Sequence, residues 1–588
     1  MSRVHRLCVA PLSSPLPMMP SPLGRFALAS LALAACRQAE PPPAATPAVG
    51  DLRPAIVATA DSAMISSASP LATEAGLAVL RRGGNAVDAA VAVAMTLAVT
   101  FPSAGNLGGG GFMVARINDA NVALDFRETA PAGASRDMYL DAKGALTDRS
   151  VNGALAAGVP GTVAGLYEAH RKFGTRPWAE LLQTAITLAD SGFAIDSAFA
   201  EDGEGTSQRL ERDSTSAALF LEGGKFRAIG SAWRAPGLAA TLRRIADRGR
   251  RGFYSGETAD LIVAAMKAGG GIISKDDLRS YRPIWRPPVE FEYHGHRVLS
   301  MPPSSSGGLT LALILGILEG EDLPALGWRT PQAIHVMAEA ERRAFARRNA
   351  LLGDPAFVRI PFASFLNKDT AAVLRNEIGK TSSGSAPAAA PREKRHTTHF
   401  SVVDAHGNAV AITTTINDSY GAAFTVPGAQ FLLNNEMDDV TTAVGAVNQM
   451  GLVQGKVNAI APGKRMLSSM TPTVVLDSAG APVLVTGAAG GAYIITAVAH
   501  LIVSVLDFHK PLAEAMAAPQ FHHQDVPDSL FVERGAWADT AATMMAPLGH
   551  AVKISPWGTL AWVHSIMRSG NRWEGVAEPR GTGLAKGY

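Results

Sequence analysis

Of 588 residues only two are cysteines, Cys8 and Cys36, and both fall within the first 36 positions. The rest of the chain therefore has no intrachain disulfide and no cysteine-ligated metal site. Charge of one sign is also lacking: 53 Lys and Arg stand against 51 Asp and Glu, a formal net charge of +2. Aromatics are scarce, at 6%, and no basic stripe interleaves with them, so nothing marks a nucleic-acid surface. Charged residues reach 18% against 47% hydrophobic, the composition of a globular protein with a large core. The length suits either more than one domain or a single large layered one. The glycine-rich stretch Gly105-Asn-Leu-Gly-Gly-Gly-Gly111 admits a phosphate-loop reading but lacks a downstream Gly-Lys-Ser/Thr, which argues against it. The next residues, Phe112 to Ile117, read as a strand, so backbone crowding at a tight turn is the better account of the glycines.

The N-terminus carries an export signal. Arg25 precedes the apolar run from Phe26 to Ala35, too short to cross a bilayer as a helix but suited to a signal h-region. Met18 or Met19 is an alternative start. The run ends Leu33-Ala34-Ala35-Cys36, which resembles a bacterial lipobox. That resemblance implies lipidation of Cys36 and a lipid-anchored protein in the periplasm or outer membrane; the alternative is an ordinary signal peptide and a soluble periplasmic or secreted protein. The expected organisation is a signal peptide with lipobox over 1–36 and a Pro/Ala-rich tether over 37–55. Beyond these come a large-subunit body over 56–379, a flexible linker over 380–396 and a small catalytic subunit over 397–588.

Within the body, Ser69-Pro70 reads as an N-cap with Pro at the first helical position, and Gly83-Gly84 as the stop. A second helix from about Ala86 to Val99 is apolar on nearly every side and should be buried. Phe112–Ile117 and Val122–Phe126 form a hairpin pattern around Asn118-Asp119-Ala120-Asn121, with Arg127 and Glu128 at its end. From Pro160 to about Asp354 the pattern is mostly helical. Ser304-Ser305-Ser306 precedes the apolar run Leu309–Leu318 and reads as a helix cap, not a nucleophile. The stretch from Lys380 to Pro391 is poor in large apolar groups and should be exposed or disordered. Thr397–Val403 then alternates as a strand, with a turn at Ala405–Asn408 and a second strand to Thr415. Thr473–Leu476 pairs with Val483–Thr486, leading through Gly487-Ala-Ala-Gly-Gly491 into a helix from about Ile494 to Leu506. This order suggests sheets packed between helical layers, an α/β (α+β) class.

A threonine that opens a strand just after an exposed segment becomes a new N-terminus if the chain is cut there. Its α-amine, with an unperturbed pKa of about 7.7–8.0, can then serve as base for its own hydroxyl. A strand-opening threonine is more often only a strand residue, so the surrounding motifs decide. Thr397-Thr-His-Phe-Ser-Val-Val-Asp404, Leu432-Leu-Asn-Asn-Glu-Met-Asp-Asp439 and Pro462-Gly-Lys-Arg-Met-Leu-Ser-Ser-Met-Thr-Pro-Thr473 resemble the small subunit of γ-glutamyltransferases. Gly83–Ala90, Ala104–Phe112, Asp125–Pro131, Gly158–Ala164 and Met337–Glu341 resemble the large subunit of the same family. The likeness runs from about Ala58 to Tyr588.

The resemblance implies an N-terminal nucleophile hydrolase fold, a four-layer αββα sandwich made by two subunits from one precursor cut between His396 and Thr397. It implies Thr397 as nucleophile, Thr415 as its orienting hydroxyl, and Gly490 and Gly491 as oxyanion donors. It implies Arg127, Ser468 and Ser469 on a substrate α-carboxylate, and Asn417, Glu436 and Asp439 on its α-ammonium. No cofactor is implied, and no metal: His522-His523 near Asp525 lacks a further ligand set. The implied reaction passes the γ-glutamyl group of glutathione and related compounds to water or to an amino acid or peptide amine. The runner-up is a same-fold acylase for another side chain, such as a cephalosporin glutaryl group, against which Asp439 and a full-length lid argue. A non-catalytic binder of γ-glutamyl compounds is disfavoured by the intact threonines and glycines. Three departures stand out: Gly487-Ala-Ala-Gly-Gly-Ala-Tyr493 where the family has Gly-Ser-Pro-Gly-Gly-Ser-Arg, Met450 at the lid, and Glu578-Pro579-Arg580 where Asp-Pro-Arg is usual.

Overall fold

The computed structural model describes residues 55–386, 397–442, 447–448, 451–453 and 455–588. Cys36, the tether up to Pro54, His396 and Met450 lie outside the described residues. By its internal contacts the chain divides at Thr46/Pro47, and every described residue belongs to the unit Pro47–Tyr588.

Two seven-stranded sheets form the centre of that unit. One runs Leu584–Gly587, Met64–Ser67, Thr397–Val403, Ala409–Thr415, Gly110–Ile117, Ala120–Asp125, Ile284–Arg286. The other runs Val57–Ala60, Arg572–Val576, Ser565–Ser569, Pro482–Thr486, Thr473–Leu476, His296–Ser300, Val289–Tyr293. The strand pairings within both sheets are antiparallel.

Side-chain alternation sorts the first sheet's residues between two cores, because successive side chains on a strand point to opposite faces. Ile65, Met113, Ala115, Val402, Val410 and Ile412 join the core under helices Pro70–Arg81 and Ala86–Thr100. Met64, Phe112, Val114, Val403, Ala409 and Ala411 join the core shared with the second sheet. That core continues to helices Gly307–Leu318, Pro331–Leu351 and Tyr493–Leu506. The order is helix, sheet, sheet, helix. Each sheet mixes strands from before residue 386 and after residue 397, so neither segment holds a complete sheet. A chain cut between them keeps both pieces only as one body. No helix among the described residues is long and apolar enough to cross a membrane.

Several local expectations are met. The helix Ala86–Thr100 is buried on nearly every side and starts with a capping box in which Asn85 and Asp88 satisfy each other's backbone N–H groups. The hairpin Gly110–Ile117/Ala120–Asp125 turns through Asn118 and Asp119 at φ 47° and 66°. One reading needs correction. Ser69 precedes its helix, but its hydroxyl makes no cap and instead meets Thr100 Oγ1 at 2.8 Å. The stretch from 160 to 354 is mostly helical, as read, and also supplies the strands Ile284–Arg286, Val289–Tyr293 and His296–Ser300. These are short, and two of them join through His294-Gly295 at positive φ, so no long period-two pattern announced them. Within the serine run before Gly307–Leu318, Ser305 supplies the cap, its Oγ accepting Gly307 N at 3.1 Å, while Ser306 at the N-cap position makes none and donates to Ser468 O at 2.6 Å.

Candidate active site

Thr397 opens the strand Thr397–Val403, which pairs residue for residue with Ala409–Thr415, so Thr397 lies opposite Thr415. Its Oγ1 donates to Thr415 Oγ1 at 3.3 Å, and that oxygen also accepts the Asn417 backbone N–H at 2.8 Å. Asn417 turns the chain at φ 74°, a left-handed conformation that Asn tolerates, and its Nδ2 donates to Asn435 O at 3.1 Å. The glycine stretch lies against this junction. A Cβ on Gly109 would sit 2.1 Å from the Thr415 carbonyl oxygen. None of Gly105–Gly111 has positive φ, so close approach, not a tight turn, is what excludes a side chain there.

His399 is two residues from Thr397, on the same face of the strand, and so is the obvious rival to an α-amine as base. Both of its ring nitrogens are engaged, with Thr413 Oγ1 at 2.8 Å and Ser401 Oγ at 3.0 Å. Burial, helped by neighbouring His564, holds its pKa well below the usual imidazole range. It stays neutral and tethered, a packing group beneath the site.

Arg127 leaves the hairpin end fully buried, with Nη1 at 2.6 Å from Glu436 and Nη2 at 2.5 Å from Asp439. Glu128 is 3.7 Å away, and Nε donates to Met466 O. Burial opposes charge on Arg127, but Glu436, Asp439 and Glu128 outweigh it and raise its pKa. For the buried carboxyls the balance goes the other way. Burial pushes Glu128 up to about 7 and Glu436 well above the ordinary carboxyl range, with Arg127 opposing in both cases.

The sign of the resulting pH effect is set by linkage. Glu128 binds its proton more tightly folded than unfolded, so stability is greatest below the unfolded pKa of about 4.5, falls as pH rises towards about 7, and is flat above. We expect Glu128→Gln to melt higher than wild type at pH 8, by the equivalent of about 1–3 kcal/mol, and to match it near pH 5. Melting curves at the two pH values check this; a gap that widens towards pH 5 contradicts it.

Ser468 and Ser469 sit against the start of the helix Gly307–Leu318. Ser468 N donates to Ser304 O, Ser306 N donates to Ser468 O, and Ser469 Oγ accepts Arg348 Nη2 at 2.9 Å. Gly490 and Gly491 join the short strand Ala488–Ala489 to the helix Tyr493–Leu506, at φ 141° and 58°. A Cβ on Gly490 would meet Leu560 O at 2.9 Å. The altered residues of this turn are absorbed by packing: Tyr493 is buried and its ring lies 4.5 Å from that of His522 and 5.2 Å from that of Trp557. Glu578, in place of the usual Asp, accepts Val563 N at 2.6 Å on the strand that pairs with Ala488–Ala489, and meets Arg580 at 2.9 Å.

A cavity of about 380 Å³ brings most of these groups together: Thr397, Thr415, Arg127, Asn417, Asp439, Ser468, Ser469 and Gly491 all line it. Glu436 and Gly490 are not in its wall; Glu436 stands behind Arg127. Arg348 lines it and was missed by sequence reasoning. Nothing local singles it out on a helix with many arginines. A larger cavity, about 560 Å³, lies further along Tyr493–Leu506, mostly apolar and with none of the candidate residues.

A threonine pair at the edge of a central strand, inside an αββα sandwich whose sheets need both segments, defines the class: an N-terminal nucleophile hydrolase. Within that class the chain belongs to the γ-glutamyltranspeptidase family, whose model, described as Gamma-glutamyltranspeptidase, matches residues 72–588. It is 43% identical over 537 residues to the glutathione hydrolase proenzyme of Escherichia coli (strain K12), covering 90% of this chain and 92% of that protein. Among solved structures, cephalosporin acylase from Bacillus halodurans superposes with a TM-score of 0.80 at 25% identity, over 93% of this chain and 99% of that one. The γ-glutamyltranspeptidase of Helicobacter pylori does so with a TM-score of 0.52 at 45% identity, over 53% of this chain and 90% of that one.

Proposed function

We propose that this protein is a self-processing γ-glutamyl hydrolase and transferase that cleaves the γ-glutamyl amide of glutathione and related compounds through an acyl-enzyme on Thr397. The observation that carries the reading is one cavity lined both by the Thr397–Thr415 hydroxyl pair and by the Arg127–Asp439 ion pair. A γ-glutamyl group carries a carboxylate and an ammonium at one end and the scissile amide at the other. Its zwitterionic end exchanges the internal Arg127–Asp439 pair for two external ones, carboxylate on Arg127 and ammonium on Asp439. A ligand lacking either charge leaves Arg127 or Asp439 without compensation, a strong form of discrimination for a polar site.

In the precursor, the Thr397 hydroxyl attacks the His396 carbonyl, the acyl chain moves from nitrogen to oxygen, and water splits the ester. The freed α-amine then takes the hydroxyl proton, and Thr397 Oγ1 attacks the γ-amide carbonyl. The Gly490 and Gly491 N–H groups stabilise the tetrahedral oxyanion, and the proton passes to the departing amine. Water, an amino acid or a peptide amine then takes the acyl group.

The similarity to a cephalosporin acylase favours one second reading, a glutaryl-type acylase. The two differ only in the α-ammonium. Release of a chromogenic amine from γ-glutamyl and glutaryl anilides, with and without a dipeptide acceptor, decides between them. We expect the γ-glutamyl substrate to win by more than about 100-fold in kcat/KM; a preference for glutaryl refutes the main reading.

For location we propose a lipid anchor on Cys36, supported by the lipobox-like run before it. Cys36→Ser should release the protein from the membrane fraction or leave it as unprocessed precursor. A soluble wild type whose mature N-terminus is not a modified Cys36, seen by mass spectrometry, refutes the anchor.

A further inference from the structure

Arg348 lies near the end of the helix Pro331–Leu351, fully buried, and lines the cavity. Its guanidinium makes three hydrogen bonds, all to neutral oxygens at 2.9 Å: Nε to Ser306 Oγ, Nη1 to Asn349 Oδ1 and Nη2 to Ser469 Oγ. Burial lowers its pKa to about 10, against the field of Asp439, so it remains a cation at neutral pH. Arg127 differs in this respect, because the carboxyl groups of Asp439, Glu436 and Glu128 already face it.

The bonds around Arg348 form a clamp on the serine pair. Ser306 accepts from Nε and donates to the Ser468 carbonyl at 2.6 Å, while its own N–H donates to the same carbonyl at 2.8 Å. Ser469 is held directly, through its hydroxyl oxygen. A guanidinium only donates, and a hydroxyl has one hydrogen to give. With its oxygen committed as acceptor, Ser469 has its O–H free to turn away from Arg348 towards the cavity it lines. Accepting from a cation also strengthens that O–H as a donor.

We infer that Arg348 is a positioning and specificity residue for the carboxylate end of the substrate: it locks Ser469 as a hydrogen-bond donor to an α-carboxylate and adds cationic field where Arg127 is already largely compensated. This rests on the γ-glutamyl reading above.

Two substrates isolate the effect: L-γ-glutamyl-p-nitroanilide, and 4-aminobutyryl-p-nitroanilide, which keeps the amide and the ammonium but has no carboxylate. Self-cleavage on a gel serves as the folding control. For Arg348→Gln we expect kcat/KM on the γ-glutamyl substrate to fall on the order of 30-fold, mainly through KM, and that on the 4-aminobutyryl substrate to change by less than about 3-fold. Arg348→Lys keeps the charge but cannot span Ser306 and Ser469 together, so it should fall between. Ser306→Ala removes the hydroxyl that joins Arg348 Nε to the Ser468 carbonyl but leaves the Arg348–Ser469 bond, and should show the same selective loss at about 3–10-fold, which covers the case of Arg348→Gln failing to mature. Equal losses on both substrates would mark a merely structural role, and an unchanged preference would mark none; either overturns the inference. A wild type that does not favour the γ-glutamyl substrate at all fails earlier, and refutes the γ-glutamyl reading itself.

Discussion

Thr397→Ala is expected to give a single uncut chain whose γ-glutamyl turnover is lower by more than about 1,000-fold. Two events depend on the same hydroxyl. Before cleavage the Thr397 nitrogen is an amide and cannot act as a base, so the first attack relies on Thr415 Oγ1, 3.3 Å away. After cleavage the α-amine is free and external amides can be attacked. The fold should survive, because the strand pairing of residue 397 with Thr415 is made by the backbone, which alanine preserves. Thr397→Ser keeps the hydroxyl but loses the methyl that restricts its rotamer, so it should still cleave, more slowly, with reduced turnover. Thr415→Ala removes the hydroxyl that accepts from both Thr397 Oγ1 and Asn417 N and should slow self-cleavage by about 10–100-fold. A gel and an activity assay on these proteins suffice. If Thr397→Ala still splits after His396, or if uncut wild type hydrolyses γ-glutamyl amides, the mechanism is wrong.

Asp439→Asn is expected to lower kcat/KM on γ-glutamyl substrates by about 100–1,000-fold while self-cleavage proceeds. The loss corresponds to about 3–4 kcal/mol, the cost of leaving an ammonium without its charged partner. Asp439 meets Arg127 at the edge of the buried cluster, where its side chain retains 16% exposure, so the amide can be accommodated. Arg127→Ala is a harsher change. Glu436 and Glu128 have side chains 0% exposed, and removing the cation they surround leaves buried carboxyls without compensation, a loss of about 3–5 kcal/mol of stability. Glu436 and Glu128, already pushed upward, would respond by holding their protons, so the variant should be least impaired at low pH. Kinetics for Asp439→Asn and melting curves of Arg127→Ala at pH 5 and 8 separate the two effects. Unchanged kinetics in Asp439→Asn would show that the zwitterion site is misplaced.

Much of the frame was legible in the sequence because it is carried by local patterns. The buried helix from about Ala86, the hairpin through Asn118-Asp119 and the strand opening at Thr397 each depend on residues a few positions apart. The candidate residues were legible through the ordered motifs that resemble one family. Other features had no local signal. The strands Val289–Tyr293 and His296–Ser300 are short, and their place in a sheet is settled by pairing with Thr473–Leu476, far along the chain. Ser306 reads as a cap because a serine before an apolar helix usually is one, and only the approach of Ser468 diverts its hydroxyl. The crowding at Gly109 comes from the carbonyl of Thr415, about 300 residues away in sequence. Arg348 is one arginine among several on its helix, and its distinction is that it alone turns inward to Ser306 and Ser469. Sequence by itself determined the periods, the breaks and the candidates for the reactive groups, which depend on neighbours along the chain. Tertiary structure decided which charges are compensated and which hydroxyls are aimed, because burial and hydrogen-bond partnership arise only when distant segments close around the same cavity.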